Sequence, residues 1–179
     1  MGEVGCLKDG NFQNLQIEGT SAFGVGFGSK MKTVDITPTG DATVVAPTVT
    51  LTAADSGTVY FCNIASESAG FALPAVSGNA GVFYTFILNL ASNAEGLKDL
   101  FVFTENDGVD ILGPCLDAGA IHDNGNGTAR VLQMDSSAGA AVAGNRMKII
   151  CDGTHWFVLE ASAVTAATWV SSDAGADLV

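Results

Sequence analysis

Basic residues are scarce in this chain. Its 179 residues include seven lysines and arginines against nineteen aspartates and glutamates, which gives a formal net charge of -12. Proteins that bind nucleic acid need clustered Lys and Arg to displace counterions from phosphates. The seven basic residues are scattered and form no patch. We therefore expect no nucleic-acid partner and no basic segment that would lie on a membrane surface.

Long apolar runs are also missing. The longest, at 82–91, is far shorter than the roughly 20 residues that a membrane-spanning helix needs. The opening Met-Gly-Glu-Val-Gly-Cys has neither the positive start nor the apolar centre of a secretory signal peptide. These absences predict a protein that is made in a cytoplasm, stays soluble and has no membrane partner.

Cysteines are few, and they are widely spaced at Cys6, Cys62, Cys115 and Cys151. No pair has the C-x-x-C spacing that is typical of zinc sites. A reducing cytoplasm also disfavours disulfides. Because Cys62 and Cys151 fall in apolar segments that predict core strands, we expect buried free thiols and no bound metal.

Signatures of catalysis are weak. The two histidines do not lie near a nucleophile elbow, since His122 falls in a hairpin-like loop and His155 begins a strand beside a tryptophan. Asp55-Ser56-Gly57 fits a simple turn. The glycine-rich run at 24–30 lacks the Gly-Lys-Ser order of a phosphate-binding loop.

Acidic residues are mostly found next to Gly or Asn, in predicted turns. The loops at 105–110 and around Asp123 could hold calcium, but neither has EF-hand spacing. Glu160, near the end of the last predicted strand, is expected at that strand's exposed end. We therefore predict no catalytic, cofactor-binding or metal-binding residues, no cofactor and no enzyme activity.

Turns followed by aromatic and β-branched runs are the main feature that is present. Asp55-Ser56-Gly57 and Asp152-Gly153-Thr154 each lead into such a run, as is typical of strand entry. Short helical turns are predicted at 52–55 and 95–100. Nine short strands are predicted at 43–45, 48–51, 58–63, 82–90, 100–103, 109–112, 130–134, 146–151 and 155–161. The chain should therefore be all-β, a sandwich or a jelly-roll-like barrel with an irregular N-terminal arm.

The chain divides into three segments by composition. Residues 1–35 form a glycine-rich arm with three phenylalanines, residues 36–162 form the β domain, and residues 163–179 form a tail anchored by Trp169. A merely flexible tail would carry few aromatics. The phenylalanines at 12, 23 and 27 therefore predict an arm that docks on its own domain or on a neighbour.

Two predicted strands are apolar on both faces, those at 82–90 and 155–161. An antiparallel strand with one solvent-exposed face should alternate apolar and polar residues. A strand that is apolar on both faces must either lie in the centre of the fold or have its second face covered by an arm or by another subunit. Together with the low content of charged residues, this predicts an oligomer.

Five segments form a recognisable set: LTAADSGT at 51–58, ALPA at 72–75, GVFYTF at 81–86, GNRMKI at 144–149 and DGTHWFV at 152–158. As a set they resemble the small β modules of tailed-bacteriophage virion structural proteins. The resembling modules occur in head decoration (cement) proteins and in head or tail fibres. The start of the chain, GCLKDGNF at 5–12, resembles an attachment arm.

This resemblance implies a non-enzymatic virion protein that forms a homotrimer. The expected function is capsid decoration, in which the protein binds the major capsid protein on the outer surface of the phage head and stabilises it. Its location would be the outer capsid surface, after synthesis in the host cytoplasm. The alternative is a receptor-binding tail fibre or spike, or a carbohydrate-binding β domain. The absence of extended shaft repeats favours decoration.

Overall fold

The computed structural model describes residues 31–43, 45–90, 98–104, 109–117, 120–122, 129–135, 142–163 and 169–172. Within these ranges the regular structure is β, apart from one 3-10 turn at Ala53–Asp55. None of the helical structure in the described ranges could cross a membrane. The predicted helical turn at 52–55 is thereby confirmed, whereas most of the turn predicted at 95–100 lies outside the described residues.

Two mixed sheets contain the strands. In chain order the strands are β1 (Thr33–Ile36), β2 (Val49–Thr50), β3 (Val59–Asn63), β4 (Ala69–Leu73), β5 (Phe83–Leu90), β6 (Leu100–Thr104), β7 (Ile111–Leu112), β8 (Cys115–Asp117), β9 (Ala120–His122), β10 (Val131–Met134), β11 (Arg146–Cys151), β12 (Trp156–Ala163) and β13 (Trp169–Ser172). The eight-stranded sheet has the order β1-β3-β5-β11-β12-β8-β9, and β7 also pairs with β12. The five-stranded sheet has the order β13-β10-β6-β4-β2. The predicted all-β sandwich is confirmed.

The first six strands alternate between the two sheets and stack in parallel. Strands β1, β3 and β5 are parallel neighbours in one sheet, and β2, β4 and β6 are parallel neighbours in the other. Thr33 lies opposite Val59, and Val59 lies opposite Thr85, in two equal steps of 26 residues. Such a coil, with one strand per sheet in each turn, resembles a short solenoid. A jelly roll would instead have antiparallel Greek keys.

The core lies between the two sheets and is rich in aromatic side chains. Tyr60 and Phe86 of the eight-stranded sheet contact Phe71 of the five-stranded sheet, with ring centroids 5.3 Å and 4.8 Å from Phe71. Farther along, Tyr84 packs on Trp156, 5.8 Å away. All five side chains are almost fully buried. The two-residue period of strands places alternate residues of β3, β5 and β12 in this core.

The three central strands of the five-stranded sheet are buried on both faces. Every residue of β4, β6 and β10 is buried. A second apolar cluster lies on the side away from the main core and consists of Ala42, Ala72, Phe101, Phe103 and Val131. In contrast, β5 and β12, predicted to be apolar on two covered faces, bury one face fully and the other partly. Two-sided burial therefore occurs, but in strands other than those that the sequence indicated.

Gly70 shows how closely this second cluster is packed. A Cβ atom built at Gly70 would lie 2.6 Å from the Phe101 ring and 3.0 Å from Ala42. We predict that Gly70→Ala lowers the free energy of unfolding by about 1–3 kcal/mol, because the ring must move out of a packed site. Urea unfolding measures this loss. Gly40→Ala is the control, since a Cβ there meets nothing within 4 Å. Equal midpoints for the two variants would contradict the prediction.

The predicted segment boundaries shift at both ends. Strand β1 begins at Thr33 and pairs with β3, although residues 33–35 were expected in the arm. Strand β13 pairs with β10 and lies inside the predicted tail of 163–179. The predicted strand at 43–45 is an isolated bridge between Thr43 and Ala46. Strands β1, β4, β8, β9 and β13 are additions to the nine predicted strands.

Candidate binding face on the eight-stranded sheet

The outer face of the eight-stranded sheet carries partly exposed apolar side chains that the register places side by side. Side chains alternate across a sheet, so residues opposite one another form rows. One row, named here the apolar row, joins β5, β11, β12 and β7. Its members are all half-buried: Phe83, Ile150, Phe157 and Leu112.

A polar row lies beside the apolar row. It crosses the sheet from Thr33 and Val59 through Thr85 to Lys148 and Glu160. The Lys148 ammonium lies 5.0 Å from the centroid of the Phe83 ring in the apolar row. This is a cation–π distance, so the Lys148 ammonium lies over the face of an aromatic ring.

A mixed row follows, and it contains both charged and apolar side chains. Its members, in order across the sheet, are Asp35, Phe61, Ile87, Arg146, Ser162 and Leu116. Arg146 Nε donates a hydrogen bond of 2.6 Å to Glu160 Oε1, although both side chains are about half exposed. An ion pair that exposed adds little stability. The row therefore offers apolar contacts around one short, pre-formed ion pair.

A β-bulge increases the exposure of this face. Lys148 pairs with Glu160, but the next residue, Ile149, pairs with Val158, so Leu159 has no partner across the ladder. A bulge of this kind turns two consecutive side chains toward the same side. Leu159 is 56% exposed as a result, and Glu160 is exposed beside it. Glu160 thus lies inside β12, whereas the sequence placed it at a strand end.

The Asp55-Ser56-Gly57 segment is a structural turn at one edge of this face. The Asp55 carboxylate accepts hydrogen bonds from Thr52 and from Lys32 Nζ, the latter at 3.0 Å. Partial burial alone would raise the pKa of Asp55, but these bonds outweigh it and lower the pKa. Ser56 Oγ accepts a hydrogen bond from the Phe83 amide. Asp55 therefore ties this turn to the chain just before β1, and Ser56 ties it to the start of β5.

The side-chain carboxylate of Asp152 stabilises the Asp152-Gly153-Thr154 turn. Asp152 Oδ1 accepts hydrogen bonds from the amides of His155 and Thr154, at 2.7 Å and 2.6 Å. These two bonds lower the pKa of Asp152. The His155 ring lies edge-on to Phe157. His155 thus borders the apolar row, while the side chain of His122, on β9, lies outside what the structure describes.

The described cysteines are core residues. Cys62, Cys115 and Cys151 are all buried, and Cys62 and Cys151 are free thiols. Burial raises the pKa of the Cys62 thiol well above its usual value. A protonated, inaccessible thiol is a poor nucleophile. This agrees with the predicted buried thiols, and Cys6 lies outside the described residues.

The predicted loop candidates are only partly within the described chain. Residues 24–30, 105–108 and 123–128 are outside it. Asp110 is within it and accepts a hydrogen bond from the Trp156 amide through its backbone carbonyl. Among the described residues, no group of three or more His, Cys, Asp or Glu side chains is arranged to hold a metal ion.

Sequence reasoning did not find the outer face, because it depends on register. Phe83 and Ile150 are 67 positions apart in the chain, yet they lie side by side. Nothing in the local sequence marks the bulge at Leu159. Comparison with known protein families finds no family model that matches the chain, and comparison with curated proteins finds no match either. The resemblance to phage virion proteins therefore stays a prediction.

Proposed function

We propose that the protein is a non-enzymatic virion structural protein, a capsid decoration protein that binds the major capsid protein on the outer surface of a phage head. It acts as a homotrimer, attaches through its N-terminal arm and stabilises the shell. The observation that carries the proposal is the outer face of the eight-stranded sheet, where half-buried apolar side chains lie side by side across neighbouring strands. Such faces are typical of protein contacts.

The mixed row is the proposed subunit contact. Leu116 is 50% exposed, and Phe61 and Ile87 in the same row are half-buried. Interfaces combine an apolar centre with a few oriented polar groups. The Arg146–Glu160 pair would provide those polar groups. Closed symmetric association covers this surface on every copy.

The charge of the chain supports a surface role. The net charge of -12 leaves the remaining surface acidic. Like charge on the outside of a particle limits clumping of particles. The acidic surface would therefore face solvent, while the nearly neutral sheet face would lie against protein.

The alternative, a tail fibre or spike, is favoured by one observation. The parallel stack of β1, β3 and β5, with its 26-residue steps, has the geometry of a solenoid turn. Solenoid turns can extend into long spikes. Electron microscopy of intact particles with labelled antibody separates the two functions. Label on the shell supports decoration, label on the tail supports the spike, and particles without any label contradict both.

The trimer can be tested at Leu116, the exposed leucine of the mixed row. We predict that native mass spectrometry finds a trimer at micromolar concentration, and that Leu116→Lys weakens trimer formation at least tenfold, because a lysine ammonium would be buried in the interface. Val45→Lys is the control, since Val45 is 90% exposed and lies outside both sheets. A wild-type spectrum that contains only monomer would contradict the trimer. Equal trimer fractions in both variants would exclude the mixed row as the interface.

A further inference from the structure

We propose that residues 20–30 of the same chain dock on the apolar row, with Phe23 and Phe27 as the main contacts. This inference does not rest on the virion role, because it concerns the free protein. It assigns the apolar row to the chain itself and leaves the mixed row for a second copy. Residues upstream of 20 remain available for attachment.

The apolar row has the chemistry of an aromatic docking site. Phe83, Ile150 and Phe157 are half-buried and adjacent across three strands. Lys148 lies over the Phe83 ring, and His155 lies at the edge of Phe157. An aromatic side chain added here would bury apolar area while both polar groups keep access to water.

The chain enters the described fold at this row. The Val59 amide donates to the Lys32 carbonyl at 2.9 Å, and Thr33 is level with Val59 and Thr85. Met31, two residues before Thr33, is therefore level with Phe83, two residues before Thr85. Met31 is 51% exposed. Segment 20–30 therefore joins the described fold beside the Phe83 end of the apolar row.

The distances allow Phe27 and Phe23 to reach successive members of the row. Strands are about 4.8 Å apart, so β5 lies about 10 Å and β12 about 19 Å from β1. Four extended residues span up to about 13 Å, and eight span up to about 27 Å. Phe27, four residues before Met31, can therefore reach Phe83 on β5. Phe23, eight residues before Met31, can reach Phe157 on β12.

The composition of the segment fits an apolar surface. Residues 19–29 contain no charged residue, although the chain carries a net charge of -12. Phe23, Val25 and Phe27 alternate with glycines, so an extended segment would present all three on one side. Docking through Phe23, Val25 and Phe27 would therefore bury no charged side chain of residues 19–29 and would use one apolar edge of the segment.

Photo-crosslinking of the full chain tests the contact. Phe157 is replaced by p-benzoylphenylalanine in a mixture of unlabelled and nitrogen-15 chains, and linked peptides are identified by mass spectrometry. The expected result is a link to residues 20–30 within one isotopic chain. A link between chains, or no link to this segment, would overturn the proposal. The same crosslinker in place of Val45, which is 90% exposed outside both sheets, should give no such link.

Limited trypsin digestion of the full chain gives an independent readout. Docking should shield the bond after Lys30, so the double variant Phe23→Ala/Phe27→Ala should be cut there at least tenfold faster than the wild type. Phe157→Ala should show the same increase. Phe12→Ala is the control and should be cut at the wild-type rate. Unchanged cleavage in the double variant, with a wild-type circular dichroism spectrum, would refute docking.

Discussion

Phe86→Ala is expected to lower the free energy of unfolding by about 3–5 kcal/mol, the range for removing a large buried aromatic. Phe86 is completely buried, and its ring lies 4.8 Å from Phe71 and 5.6 Å from Tyr60. Phe71 belongs to the five-stranded sheet, so Phe86 joins the two layers. Since small domains are stable by only about 5–15 kcal/mol, the variant should lose a substantial part of its stability.

Phe83→Ala is the matched control for this prediction. Phe83 is the same residue type on the same strand, three positions away, but it lies half-exposed on the outer face. Its loss should cost well under half of the Phe86 effect, because its ring is already partly hydrated. Urea unfolding of both variants measures the difference. Comparable losses would mean that the core does not lie between the sheets as described.

The residues of β5 show what the sequence could and could not predict. A run of aromatic and β-branched residues after a glycine turn predicted the strand correctly. Both faces of that run are apolar, and a two-residue period cannot tell which face meets the core. Tyr84, Phe86 and Leu88 are buried, whereas the alternate residues are only partly covered. The buried face of β5 is set by β4 and β6, which pack against it from the other side of the core.

Strand β4 was missed because its residues have low strand propensity. Ala69-Gly70-Phe71-Ala72-Leu73 contains glycine and two alanines, which are depleted in strands. Its environment explains the composition. Gly70 lies against the Phe101 ring, where a side chain would clash, and every residue of the strand is buried. Packing on both faces thus selects small residues that local propensity disfavours.

A signal for the parallel stack was present in the sequence. Asn63-Ile64-Ala65-Ser66 and Asn89-Leu90-Ala91-Ser92 are nearly identical and lie 26 residues apart. The same step separates the paired residues Val59 and Thr85. An internal repeat of this length indicates stacked coils. The repeat would have predicted that β3 and β5 are parallel neighbours. Strand propensity alone cannot predict which strands pair.

The candidate binding face could be predicted only in part. The low charge and the apolar strands indicated a surface that needs a partner, but they did not locate it. Its rows combine residues from β5, β11 and β12, which come together through long-range pairing. The exposure of Leu159 depends on a bulge, which shifts register by one residue without a glycine to mark it.

Alkylation of Cys62 is expected to be at least about 1000-fold slower in the native protein than in the urea-unfolded chain. The side chain is completely buried in the core, and burial raises its pKa, so the native thiol is both inaccessible and protonated. Reaction then requires opening of the core. Opening that costs most of a typical domain's 5–15 kcal/mol slows labelling by about tenfold for each 1.4 kcal/mol.

Iodoacetamide labelling at pH 8, followed by peptide mass spectrometry, measures the rate at each cysteine. Cys151 provides an internal comparison, since it is also buried but lies at the end of β11, where its sulfur accepts a hydrogen bond from the Gly153 amide. Local opening of the adjoining turn should expose Cys151, so it should react faster than Cys62. Because Cys62 reacts only after opening, its rate should rise between pH 7 and pH 9 as an unfolded thiol, with a pKa of about 8.5, ionises. A Cys62 rate within tenfold of the unfolded chain would show that β3 is not a core strand.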